Sequence, residues 1–209
     1  MKLLQVAIVA LVLLLNLIVA PSAFADRGRF KTSPDYAEVT QAIEALVQRQ
    51  NNPDTAVNAT EASQQLAELQ LQKYILEISE SRARCTNETG KTLAVYLKPK
   101  KAPANQSGTL YYLGNRETTD DDYTCAGVYL PAATQVAFSP LTAVETLTDP
   151  LALKFVEGTQ LVVATNPTTG AIELNVPPAQ TLKSGESGWA IPVLTQADID
   201  AQPPNAPKD

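Results

Sequence analysis

Few groups of residues in this chain have the types and spacing that chemistry requires. Glu117, Asp120, Asp121 and Asp122 form the densest acidic run, and calcium is held by several such carboxylate oxygens. The D-x-D-x-D-G spacing that turns alternate carboxylates inward is missing, so the run reads as a solvated turn. It closely precedes Cys125, so a disulfide to Cys85 would set it beside Arg82 and Arg84 for charge pairing. Lys98, Lys100 and Lys101, interleaved with Pro99 and followed by Pro103, form a basic connector. Such a segment either blocks sheet-edge association or raises the encounter rate with an acidic partner. Arg27, Arg29 and Lys31 make a similar basic arm near the start of the chain. Lys183 to Trp189 places Ser184 and Ser187 beside glycines, in neither G-x-S-x-G nor S-x-x-K order. That stretch reads as a loop, and Trp189, the only tryptophan, as a core residue rather than a ligand platform.

The sequence contains no histidine. Ser-His-Asp and Cys-His nucleophile pairs, histidine-bound zinc, blue copper and histidine-ligated haem are therefore excluded. Two carboxylates suffice for glycoside hydrolysis, but 6 % aromatic residues and one tryptophan would line a sugar cleft thinly. The expectation is a protein that is not an enzyme and carries no metal or cofactor.

Where the chain works is more legible. Lys2 precedes an apolar run from Val6 to Ala20, broken only by Asn16, and then Pro21 and the triplet Ala23-Phe24-Ala25. A basic start, an apolar centre and an A-x-A ending predict a signal peptide over 1–25, cleaved after Ala25. Cleavage would leave 184 of the 209 residues, with neither histidine nor methionine and a net charge of −7 in place of −6. That acidity argues against nucleic acid and against adsorption to an anionic membrane, which need a basic footprint. No membrane insertion of the mature chain is expected. Cys85 and Cys125 are the only cysteines; an oxidising compartment would join them, and without C-x-x-C spacing a redox dithiol is the weaker reading.

The leader Leu11 to Ala25, LVLLLNLIVAPSAFA, resembles those of cyanobacterial proteins exported to the thylakoid lumen or periplasm. The resemblance covers only the segment to be removed. It implies a small lumenal or periplasmic protein of the kind that assists or caps membrane complexes of photosynthesis.

The elements that must position these residues fall into helices first and strands after. Ser33-Pro34 is a cap and first-turn signal, with Asp35 and Glu38 favoured by the helix dipole. Tyr36, Val39, Ile43, Leu46 and Val47 then recur at spacings of three and four, predicting an amphipathic helix to about Gln50. A second helix is predicted from about Thr60 to Arg82. It is apolar on two sides, Leu66, Leu69 and Leu76 on one and Leu71, Tyr74, Ile75 and Ile78 on another. Its polar stripe holds Glu61, Gln65, Glu68, Gln72 and Ser79. Two apolar sides need two partners, the first helix and the following sheet, with self-association as the rival.

After a turn at Asn87 to Gly90, strands are predicted at Thr92–Leu97, Leu110–Leu113, Gly127–Leu130, Thr134–Phe138, Leu151–Val156, Gln160–Ala164, Ala171–Val176 and Trp189–Val193. Glu157-Gly158 and Asn166 to Gly170 supply hairpin turns. The expected fold is α+β, with an N-terminal helical hairpin packed on a C-terminal antiparallel β-sandwich or barrel. Its parts would be a basic arm (26–33), the hairpin (34–82), the β domain (83–200) and a disordered tail (201–209). The functional expectation is a non-catalytic exported accessory or assembly protein docking on a membrane protein complex through Lys98, Lys100, Lys101, Arg27, Arg29 and Lys31. The alternative is an extracytoplasmic protein binding a small ligand or glycan beside Trp189.

Overall fold

The computed structural model describes residues 28–51, 58–103, 106–139, 142–185 and 188–208. The predicted signal peptide and Arg27 lie outside them. Helix α1 (Pro34–Gln50) begins where expected: the Ser33 side chain accepts the Tyr36 N–H, proline opens the first turn, and Asp35 and Arg49 complement the dipole at the two ends. Helix α2 (Ala59–Ile78) is capped by Asn58, whose side chain accepts the Thr60 N–H. Ten strands follow: β1 (Arg84–Glu88), β2 (Leu93–Pro99), β3 (Thr109–Leu113), β4 (Tyr123–Leu130), β5 (Gln135–Ala137), β6 (Glu145–Thr146), β7 (Leu151–Lys154), β8 (Gln160–Thr165), β9 (Ile172–Leu174) and β10 (Gln180–Lys183). A short helix α3 (Gln196–Asp200) closes the order, its first turn held by a Thr195/Asp198 capping box.

Among the described residues the strands form two five-stranded sheets and no closed barrel. One runs β10-β7-β4-β2-β3 and is antiparallel throughout. The other runs β1-β8-β9-β5-β6 and is mixed, because β1 pairs with β8 and β5 with β9 in parallel. The expectation of an entirely antiparallel domain is thus corrected. Parallel neighbours need long crossovers, and β1 reaches β8 only after the chain has built most of the other sheet. The Asn166–Gly170 turn does join β8 to β9 as an antiparallel hairpin, its Asn166 carboxamide accepting from Thr168 and Thr169.

The main core draws on both sheets, with Val95, Leu97, Val128 and Leu153 from one and Val136, Leu161, Val163 and Leu174 from the other. Cys85 and Cys125 are joined, tying β1 of the mixed sheet to β4 of the antiparallel sheet. A bulge makes this geometry possible. Tyr96 pairs with Gly127 and Leu97 with Cys125, so Ala126 is an extra residue in β4. Cys125 and Val128, three positions apart, can then share the same core.

The antiparallel sheet is covered on its other face too. Ala94, Tyr96, Tyr129, Ala152 and Leu182 pack there against Trp189, Ile191, Leu194 and Ile199 of the C-terminal segment. Residues Trp189–Val193, expected as a strand, instead form a strap without sheet pairing. The Tyr96 hydroxyl donates to the Ala190 carbonyl (3.0 Å). The Tyr129 hydroxyl lies 3.0 Å from the Pro192 carbonyl and 2.9 Å from that of Leu194, and accepts the Leu194 N–H (3.0 Å). Burial raises the pKa of both phenols, keeping them neutral donors.

Three further expectations are corrected. Asn87 lies within β1, with the turn after it, because its carboxamide bonds the Lys91 and Leu113 carbonyls from a buried position. The tail is held through residue 208: Ala206 is buried, Asn205 Oδ1 accepts the Tyr112 N–H (2.8 Å), and Lys208 pairs with Glu117. The prolines of that tail restrict the unfolded chain, so docking it costs less entropy than composition suggests. Helix α2 ends at Ile78 rather than near Arg82, because the backbone becomes extended at Ser79.

The two helices pack together and onto the β domain through Phe30, Val39, Leu76 and Val156. Gly158 is essential to that seat. A Cβ there would lie 2.4 Å from the Ser79 Cβ, and its backbone has φ +84°. Of the second apolar side of α2, Ile75 packs against this cluster, while Leu71, Tyr74 and Ile78 stay 39 %, 56 % and 49 % exposed among the described residues. Gln72, expected on the polar stripe, is instead 4 % exposed and donates to the Pro178 carbonyl (3.4 Å). The hairpin contact fixes this rotation, since Tyr36 of α1 donates to Glu77 (2.9 Å) and lies beneath the Lys73 ammonium.

Candidate functional site

A cleft of about 300 Å³ lies where α1, the strap and the antiparallel sheet meet. The first turn of α1 contributes Asp35 and Glu38, the end of β2 Lys98, and β7 with its following turn Lys154, Phe155 and Glu157. Ala126, Leu182 and Trp189 complete an apolar wall, and Gln106, Ser107 and Gln180 add neutral polar groups. Trp189 is set against Tyr96 with ring centroids 4.7 Å apart and planes at 60°. Gly127 lets the indole approach the sheet. A Cβ there would stand 3.0 Å from two indole carbons and 2.3 Å from the Leu153 carbonyl oxygen.

The charges fall into two groups. Lys154 bridges Asp35 (3.1 Å) and Glu38 (3.4 Å), while the other Asp35 oxygen accepts the Glu157 N–H (3.0 Å). Burial disfavours the Lys154 ammonium, but the two carboxylates outweigh it and raise its pKa. Together these contacts pin α1 to the end of β7. Glu157 differs: burial dominates and raises its pKa, with Asp35 adding to the rise and Lys98, Arg82 and Arg29 opposing it. Its Oε2 is buried with no hydrogen-bond partner among the described residues. Lys98 acts on Glu157 through space but makes no ion pair within 4.0 Å among the described residues.

Of the predicted docking cations, Lys98 and Arg29 both act on Glu157. Lys98 turns into the cleft, Lys100 pairs with Asp122 (3.5 Å), and Lys101 is exposed. Arg29 lies over the Phe30 ring and donates to the Glu80 carbonyl, Lys31 is exposed, and Arg27 lies outside the described residues. The acidic run is a self-capped turn, the Asp120 carboxylate accepting the Asp122 N–H (2.7 Å). The carboxylates of Asp120, Asp121 and Asp122 lie within 4.8 Å of one another, with Asp121 and Asp122 exposed. Arg82 and Arg84 do reach this loop: Arg82 donates to Thr124 Oγ1 (3.2 Å) and Arg84 to the Thr119 carbonyl (3.1 Å). Glu117 pairs instead with Lys208, which together with burial-opposed hydrogen bonding holds its carboxyl below the usual range.

Asp35, Glu38, Lys154 and Glu157 had no site signal in the sequence. The first two read as helix-dipole residues and the last as a turn residue, and the pairs are separated by more than a hundred positions. The sequence points to Trp189 and to a ligand site beside it, but not to the strap that carries the indole or to the charged residues that line its cleft. Among the described residues no helix is long and apolar enough to cross a membrane. The disulfide fits an exported protein. Comparisons of the chain with known protein families, curated proteins and solved structures find no match.

Proposed function

We propose that the protein is a non-catalytic exported module of the thylakoid lumen or periplasm that docks on a membrane protein complex, as an accessory or assembly factor. In this reading the two sheets form a disulfide-linked sandwich that carries the helical hairpin as its docking element. The observation that supports it is the uncovered side of α2. Ala67, Leu71, Tyr74 and Ile78 follow one another at spacings of four, three and four and are all exposed, which is the spacing of a helix-packing seam. Glu61, Glu68 and Glu77 flank the seam. A complementary occupant is an amphipathic helix with basic flanks on the partner complex. A second copy would bring like charges to the same seam.

The test is affinity recovery from detergent-solubilised membranes with the wild-type protein, a Leu71→Glu/Ile78→Glu variant and a Lys100→Glu/Lys101→Glu variant. Docking through α2 predicts that membrane-complex subunits are recovered with the first and third and lost with the second. Recovery of none with the wild type, or equal recovery with all three, refutes it. Concentration-dependent dimerisation abolished by the α2 substitutions would assign the seam to self-association instead. Binding of a small ligand is the second reading, favoured by the cleft beside Trp189.

A further inference from the structure

We propose that the cleft between α1 and the strap binds a zwitterionic amino acid with an apolar side chain. The inference rests on the ligand-binding reading and assigns its ligand class; it is independent of docking through α2. Three features of the cleft carry it.

The first is the arrangement of charge. Asp35, Glu38 and Lys154 neutralise one another by direct contact. Lys98 and Glu157 share the same cleft, and Lys98 acts on Glu157 through space, but no ion pair joins them. Among the described residues neither makes an ion pair, so a cation and an anion stand in a partly desolvated space without a direct partner. A ligand with its own carboxylate and ammonium would complete both pairs, the carboxylate toward Lys98 and the ammonium toward Glu157. A neutral sugar would desolvate both groups and neutralise neither.

The second is the apolar wall. Ala126, Phe155 and Leu182 are buried there, and the indole of Trp189 is fixed by Tyr96 and by the missing Cβ of Gly127. That surface suits an aliphatic or aromatic side chain, and the indole face also favours a nearby ammonium. The third is size: about 300 Å³ lies at the small end of ligand pockets, which run from about 300 to 1,000 Å³. Gln106, Ser107 and Gln180 stand at the same cleft to satisfy remaining polar atoms.

The experiment is a fluorescence titration of the single tryptophan with leucine, leucinamide, N-acetylleucine and maltose. Saturable leucine binding is expected, weakened at least tenfold when either ligand charge is removed. Lys98→Met should weaken leucine but leave leucinamide unchanged, and Glu157→Gln should weaken leucine but leave N-acetylleucine unchanged. Melting curves check that both variants fold; if either does not, the ligand series on the wild type decides. Equal binding of leucine and its singly charged analogues overturns the inference. So does saturable binding of maltose without leucine, which would retain a ligand-binding function while replacing its ligand. No response to any of the four compounds refutes the inference and the ligand-binding reading together.

Discussion

Replacing Tyr129 by phenylalanine isolates the bond between strap and sheet. The ring is buried and packed with Ala94, Ala152, Ile191 and Ile199, so the substitution keeps its volume and opens no large cavity. Only the hydroxyl is lost. One phenol proton serves either the Pro192 or the Leu194 carbonyl at a time, while the oxygen accepts the Leu194 N–H. Two hydrogen bonds are therefore removed at any instant, each worth a net of about 1 kcal/mol. The expected loss is about 2 kcal/mol, a fall in Tm of about 4–8 °C for a chain of this size. Tyr96→Phe removes one bond, to Ala190, and should cost about half as much. Urea denaturation measures both, with unchanged slopes required if only the folded state is affected. Hydrogen exchange at the Ala190, Val193 and Leu194 amides should accelerate more in the Tyr129 variant, since local opening of the strap limits the global loss. A Tyr129→Phe effect below about 0.5 kcal/mol with unaltered strap exchange would refute the stapling role of the phenol.

Three other outcomes follow from the packing. Replacing Cys85 and Cys125 together by alanine should cost about 4 kcal/mol, as loop closure over a sequence separation of 40 requires, read as a lowered urea midpoint; thiol titration of the denatured, unreduced wild type should find no free thiol. Glu157→Gln should stabilise the protein near neutral pH. Burial raises the Glu157 pKa in the folded state, so its ionised form opposes folding above that pKa and ceases to do so once pH falls below the unfolded value near 4.5. The gain over the wild type should therefore be present at pH 7 and vanish toward pH 4, and a gain that does not change with pH would contradict the burial argument. Gly127→Ala should destabilise by about 1–3 kcal/mol or more, because its Cβ meets the Leu153 carbonyl and the indole; the Trp189 emission spectrum and the urea midpoint should shift together.

Local rules recovered those elements whose residues carry their own instructions. Ser33-Pro34 set the start of α1, Asn166 and Gly170 made their hairpin, and the Leu93, Val95 and Leu97 alternation found the core face of β2. Elements defined by distant partners escaped. β1, with the polar sequence RCTNE, is a strand because β8 pairs along its length and Asn87 finds buried carbonyls. β10 exists by virtue of β7, and β6 by virtue of β5. Ala94 and Tyr96, on the other side of β2, are buried only because the strap crosses that face. In the site, Lys98 and Trp189 drew attention for their chemistry, while Asp35, Lys154 and Glu157 acquired theirs from position.

By itself the sequence determined what this protein lacks and what it can close. Without histidine the imidazole-based catalysts and metal sites are ruled out, and with two cysteines only one intramolecular disulfide was available; both are properties of composition and need no coordinates. Tertiary structure alone decided which apolar side of α2 is covered and which unlike charges share a cleft. Those choices depend on the rotation of one helix about its axis and on the meeting of α1, β2, β7 and the strap. Such relations are set by packing between residues up to 154 positions apart in the sequence, from Asp35 to Trp189, and no local pattern encodes them.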